Sequence, residues 1–154
     1  MLAATPGLWA GTKQLWFDPS AEPFTSEVRA VVNAGADGQY LTIAYEWSHD
    51  GVARDGVLSV RLRADPAAVA MTWVDSFHQA SHWLLLAPTA VAPDRVAALG
   101  HYPAPTGPDW GWSIEVASDG EDALHVTMHN IEPAGEPALA VRLVLVRQGT
   151  TLDG

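Results

Sequence analysis

The chain has 154 residues, of which 48% are hydrophobic and 17% are charged. This size predicts a single globular domain over residues 1–154, and this balance excludes a disordered chain. The net charge of −10 and the scattered arginines argue against binding to nucleic acids or anionic membranes. The chain has no cysteine, which excludes disulfides and thiolate metal sites. We expect a cytoplasmic protein, because the N-terminus lacks a signal-peptide pattern and no apolar run is long enough to span a bilayer.

Glycine and proline interrupt the chain about every ten residues, and apolar residues alternate between these interruptions, which predicts an all-β fold. Short connections favour an antiparallel up-and-down barrel of roughly ten strands, because closure removes exposed sheet edges. There is room for short helices only near residues 66–69 and 90–96. The predicted strands cover residues 7–17, 24–32, 41–48, 58–63, two segments within 69–86, then 95–102, 109–117, 124–129 and 138–147.

Two polar stretches predict turns, NAGADG at residues 33–38 and HDGVARDG at residues 49–56. The inner face of the first strand is ambiguous. Trp9 and Leu15 share a face with Lys13, whereas Trp16 lies on the opposite face.

Residues 69–86 predict a strand, a break and a second strand, with Met71, Trp73, Asp75 and Phe77 on one face of the first strand. A carboxylate on a buried face is either paired or functional. The functional interpretation is a ligand contact or a general base. The structural interpretation, which we favour, is a partner for a tryptophan N–H, a turn N–H or an arginine.

A barrel of about ten strands can leave an internal cavity, and aromatic walls with a few polar groups are typical of binding pockets. The alternative is that the same rings fill a solid core. The predicted ligand-binding residues are Tyr45, Trp47, Trp73, Asp75, Phe77, His78, Tyr102, Trp110, Trp112 and Asn130.

The six histidines do not predict a metal site. His78 and His82 are separated by the predicted break rather than by one helical turn. His125 and His129 share a strand face but would lie about 13 Å apart, too far for one metal ion. We therefore expect no cofactor.

Four segments carry a resemblance to a known family: GLWAGTKQLWFDP, MTWVDSFH, GHYPAPTGPDWGWSIE and MHNIEPAGEPALAVRLVLVR. In sequence and order they resemble the domain-of-unknown-function 1579 family of mostly bacterial proteins. The resemblance implies a calycin-like barrel, similar in outline to lipocalins and nitrobindins, and no established activity. Residues 87–89 depart from the family, whose members carry a glycine there, which predicts an altered loop.

The nitrobindin analogy would bring a haem held by a histidine late in the chain. His125 and His129 fall on the polar side of their strand, which argues against that haem.

Three functions remain open. The first is a small β-barrel that binds a small, partly apolar ligand in an aromatic-lined interior. The second is a lyase-like or isomerase-like enzyme that uses Asp75 with His78 or Tyr102 as acid and base. The third is a ligand-free scaffold or an oligomerisation module, for example a homodimer. Ser76 is excluded as a nucleophile paired with Asp75, because adjacent strand residues point to opposite faces.

Overall fold

The computed structural model describes residues 2, 4, 6–35, 37–63, 68–78 and 82–149. Every strand pairs antiparallel with its neighbours in sequence, and the first pairs with the last, so the sheet closes into a barrel. The predicted all-β, ten-stranded up-and-down barrel is therefore confirmed, and the described residues contain no helix. The strands are β1 (Gly7–Leu15), β2 (Phe24–Gly35), β3 (Tyr40–His49), β4 (Val52–Arg61), β5 (Met71–Asp75), β6 (Leu84–Ala92), β7 (Arg95–Tyr102), β8 (Trp110–Ser118), β9 (Ala123–Ile131) and β10 (Ala138–Arg147).

The turn between β3 and β4 is much shorter than the predicted stretch at residues 49–56. Only Asp50 and Gly51 connect the two strands, with φ angles of 50° and 75°. Positive φ at both central residues is the geometry of a two-residue hairpin whose twist matches the flanking strands. The prediction was wrong because Asp55-Gly56 resembles a second turn in sequence, whereas both residues lie within β4.

The helix considered near residues 90–96 is also wrong, because β6 runs to Ala92 and β7 begins at Arg95. The predicted loop change at residues 87–89 is wrong as well, since these residues belong to β6. A register shift between Pro88 and Ala90 accommodates the proline, which has no N–H to donate to the neighbouring strand. In the other helix considered, at residues 66–69, residues 66 and 67 lie outside the described residues.

Inward-facing residues alternate along the strands, as the sequence predicts, except at a register shift in β10 where the adjacent Ala140 and Val141 are both buried. The two ends of the barrel differ in chemistry. At the end where odd-numbered strands begin, the interior is apolar. We call the opposite end, where odd-numbered strands finish and even-numbered strands begin, the site end. The buried residues of the apolar end include Leu41, Val60, Val96, Val116, Leu124 and Leu145.

The face of β1 that was ambiguous in sequence is resolved by its contacts. Trp9, Lys13 and Leu15 are all buried in the barrel. Gly11 lies between Trp9 and Lys13, and a Cβ atom there would come within 1.8 Å of the backbone oxygen of Val144. Glycine at this position therefore lets β1 approach β10 closely enough to bring Lys13 into the interior.

Candidate functional site

The residues predicted to bind a ligand gather toward the site end. Antiparallel pairing explains this, because residues late in odd-numbered strands and early in even-numbered strands meet at the same end. Asp75 and Tyr102 are the last residues of β5 and β7, and Trp110 is the first residue of β8. The remaining strand residues of the predicted set are Tyr45, Trp47, Trp73, Trp112 and Asn130.

Asp75 has no solvent exposure, and both of its carboxylate oxygens accept hydrogen bonds. The Tyr45 hydroxyl donates to Oδ2 at 2.7 Å, and Lys13 Nζ lies 3.4 Å from the same oxygen. The backbone N–H groups of Phe77 and His78 donate to Oδ1 at 2.7 and 3.2 Å. The carboxylate therefore ties β1 and β3 to the turn after β5.

Tyr45 reaches Asp75 across a gap left by Gly56. In the sheet register Gly56 lies between them, opposite Tyr45 on one side and opposite Asp75 on the other. A Cβ atom at Gly56 would lie 2.3 Å from the Tyr45 hydroxyl oxygen. The same hydroxyl accepts a hydrogen bond from Trp73 Nε1 at 2.9 Å, so Tyr45 on β3 bridges two residues of β5.

Lys13 is the only lysine in the chain, and it is 1% exposed. Its Nζ atom lies 3.6 Å from the centroid of the Trp47 ring and 5.3 Å from that of Tyr45. A cation over an aromatic face is attracted by the ring's electron density, and this attraction strengthens where water is excluded. The ammonium group is thus held between a carboxylate and two ring faces.

Lys13 was not predicted as the partner of Asp75; the predicted partners were a tryptophan N–H, a turn N–H or an arginine. Only the turn N–H groups of that set contact the carboxylate, because the Trp73 N–H reaches Tyr45. The sequence pattern that could have indicated a buried Lys13 is the strand face that it shares with Trp9 and Leu15.

These contacts set the protonation of the buried groups. Burial alone would raise the pKa of Asp75, but His78, Lys13 and Tyr45 outweigh it and hold that pKa well below its usual value. Burial lowers the pKa of Lys13 to about 8, although the Asp75 carboxylate raises it. Burial and the same carboxylate raise the pKa of Tyr45, and burial lowers that of His78. An ionised carboxylate with such a low pKa is a weak proton acceptor near neutral pH.

Phe77 and His78 lie in the turn after β5, not on the strand as predicted for Phe77. Their rings nevertheless pack into the site end, which resolves the orientation of His78. The Phe77 ring lies 4.8 Å from that of His78 and 5.5 Å from that of Trp47, measured between centroids. His78 in turn lies 5.5 Å from both Trp73 and Trp112.

Trp73 and Trp112 stack in parallel, with 5.2 Å between ring centroids and 8° between ring planes. Beside this stack the Tyr102 hydroxyl donates a hydrogen bond to Asn130 Oδ1. Trp110 is half-buried and makes no ring contact with this group among the described residues. We call the connected rings of Trp47, Trp73, Phe77, His78, Tyr102 and Trp112 the aromatic cluster.

Unpartnered polar atoms concentrate at this cluster. His78 Nδ1 is one of them, since its nearest carboxylate oxygen, on Asp75, is 3.5 Å away, too far for a good hydrogen bond. Buried polar groups are normally paired, so each exception calls for an explanation. Within the described residues, four buried side-chain atoms lack a hydrogen-bond partner: Trp47 Nε1, Arg54 Nε, His78 Nδ1 and Trp112 Nε1.

Other features of the barrel lie outside this cluster. A concavity of about 830 Å³ is on the barrel exterior, where the side chains of Leu8, Val31 and Ala44 point outward. His125 is exposed and His129 is half-buried on the outer face of β9, which confirms the predicted parity. In the part of the chain that the structure describes, no group of three metal-ligating side chains comes together.

We expect Tyr45→Phe to destabilise the protein by about 1–3 kcal/mol, because Trp73 Nε1 loses its acceptor and Asp75 loses a donor. Urea denaturation measures the free energy of unfolding. Tyr40→Phe is the matched control, since Tyr40 is 43% exposed on the outer face. Equal stability of the two variants would contradict the hydrogen bonds that join Tyr45 to Asp75 and to Trp73.

Between pH 8 and pH 10 we expect the free energy of unfolding to rise. Lys13 loses its proton at about pH 8 when folded but near pH 10.5 when unfolded. The unfolded state therefore binds more protons in this window, and linkage makes stability increase with pH. Urea denaturation at pH 8, 9 and 10 should show this rise in the wild type and a flatter profile in Lys13→Met. A wild-type profile that falls would overturn the assignment.

Comparison with known proteins agrees with the barrel and gives no activity. A search of curated proteins found no significant match. In the described part of the chain, no helix is long and apolar enough to cross a membrane. The profile of the family described as "Protein of unknown function (DUF1579)" matches residues 1–147. The chain therefore belongs to this family, whose implied calycin-like barrel fits the ten-stranded barrel described above.

Proposed function

We propose that this protein binds a small, partly apolar molecule at the site end of its barrel, against the aromatic cluster. The observation that carries the proposal is the concentration of four unpartnered buried nitrogens at this one place. Leaving a buried donor unpaired costs about 1–3 kcal/mol. A bound molecule that accepts hydrogen bonds from these nitrogens would remove this penalty. Ordered water would then fill the hydrogen bonds that the ligand does not make.

The surroundings of these nitrogens favour an organic ligand over water alone. They belong to, or pack against, flat apolar rings, and pockets for small molecules combine such walls with a few placed polar groups. Phe77, Tyr102 and Asn130 are half-buried, so the cluster borders solvent. The ligand would therefore lie at the mouth of the barrel, above the bridge between Tyr45 and Asp75, rather than deep in the apolar end.

The geometry gives less support to acid–base catalysis by Asp75. Its two oxygens already accept bonds from a side-chain hydroxyl and two backbone N–H groups, and Lys13 faces it. A general base needs a pKa near the working pH, whereas these neighbours lower that of Asp75. We assign Asp75 the role of a positioning residue that holds Phe77 and His78 in the turn.

A neutral fluorescent probe, N-phenyl-1-naphthylamine, tests the proposal. We expect saturable binding of one molecule per chain, seen as a rise in probe fluorescence. Phe77→Ala should weaken this binding about tenfold, because loss of a half-buried aromatic wall costs roughly 1.5 kcal/mol, the low end of the value for a fully buried side chain. Trp83→Ala is the matched control, since Trp83 is 58% exposed.

Unfolding curves of both variants confirm that they remain folded. Absence of saturable binding to the wild type, or equal affinity of Phe77→Ala and the wild type, would contradict a site at the aromatic cluster.

A further inference from the structure

Arg54 brings a permanent positive charge to the site end. It lies opposite Trp47 in the register of β3 and β4, two residues before Gly56, so its side chain belongs to the inward-facing set. The guanidinium carbon lies 5.5 Å from the centroid of the Phe77 ring. One terminal nitrogen of Arg54 donates to the Ser76 backbone oxygen at 3.4 Å. The guanidinium thus rests on the aromatic cluster.

In the described part of the chain, the guanidinium of Arg54 has no carboxylate as a direct partner. Among the described residues, the ion pairs of the chain do not include Arg54. The charge of Asp75 is matched by that of Lys13, and the low pKa of His78 leaves its ring neutral at pH 7. The interior groups of the site end, Asp75, Lys13, His78 and Arg54, therefore carry one excess positive charge, in a chain whose net charge is −10.

Three of the four unpartnered atoms have the same polarity, and only His78 Nδ1 can also accept a hydrogen bond. The two indole nitrogens and Arg54 Nε can only donate hydrogen bonds. The buried oxygens of Asp75 and Tyr45 already have donors, so they do not supply acceptors for these three nitrogens. Trp47 and Trp112 are each 5% exposed, so bulk water does not supply the missing acceptor.

We propose that the ligand is an organic anion, whose carboxylate or sulfonate oxygens accept hydrogen bonds from Arg54 and the neighbouring indole N–H groups. Its apolar body packs on Phe77 and the rest of the aromatic cluster. This inference rests on the proposed function and adds the charge of the ligand. A guanidinium is suited to the task because it remains protonated and presents several donors to one oxyanion.

Two probes with the same aromatic skeleton separate charge from shape. 1-Anilinonaphthalene-8-sulfonate carries one negative charge, and N-phenyl-1-naphthylamine is its neutral counterpart. We expect the wild-type protein to bind the sulfonate at least tenfold more tightly, since hydrogen bonds to charged groups are the strong ones. Fluorescence titration at constant ionic strength measures both dissociation constants.

Arg54→Met should remove this preference, because it weakens binding of the sulfonate at least tenfold more than binding of the neutral probe. Retained binding of the neutral probe shows that the variant site is folded. Arg54→Lys keeps the charge but loses the planar fork, and should retain part of the preference. Arg61→Met, on the same strand but exposed on the outer face, is the matched control and should bind both probes as the wild type does.

The outcomes distinguish the two proposals. Equal affinity of the wild type for both probes, or a preference that survives Arg54→Met, would overturn the anion inference and leave the ligand site intact. Binding of neither probe would count against the site and against the inference built on it.

Discussion

A buried carboxylate holds the functional end of this barrel together. Asp75 accepts hydrogen bonds on both oxygens and faces the only lysine of the chain, with neither side chain exposed to solvent. Removing two charges from water is expensive, and their attraction offsets the cost only when the remaining hydrogen bonds are satisfied. Tyr45 and the turn N–H groups provide those bonds. The loss of any one partner would leave a buried charge incompletely compensated.

This constraint determines where the aromatic cluster lies. Asp75 Oδ1 holds the backbone of Phe77 and His78, so the turn after β5 folds over the barrel mouth. Phe77 then packs against Trp47, and His78 packs against Trp112. Four donor or imidazole nitrogens are left without partners around these rings. The same arrangement that stabilises the mouth thus leaves it with unused hydrogen-bonding capacity.

Strand alternation made most of the fold predictable from sequence. Period-two patterns gave the ten strands and their inward faces, and they placed Asp75 on the buried side. Turn chemistry was less informative, because Asp55-Gly56 looks like a turn while Gly56 serves to admit the Tyr45 hydroxyl. That function of glycine depends on a residue in the neighbouring strand and leaves no local signal. Arg54 was hidden for the same reason, since it lay within the presumed turn.

The pairing of Lys13 with Asp75 could not be predicted from the local sequence, for a different reason. Lys13 is 62 residues away in sequence, and a lysine in a strand usually faces water. Its burial depends on closure of β1 against β10, which Gly11 permits. Predictions of the ligand class and of a homodimer stay predictions, because they concern molecules that bind to the barrel.

The most direct test of this account is the pKa of Lys13. Because the chain has one lysine, protein labelled with ¹³C at the lysine ε-carbon gives a single side-chain signal from that residue type. Its pH titration should give a pKa of about 8 in the wild type, and a still lower value in Asp75→Asn, where the neighbouring negative charge is absent. A pKa near the ordinary 10.5, unchanged by Asp75→Asn, would contradict a buried lysine paired with Asp75.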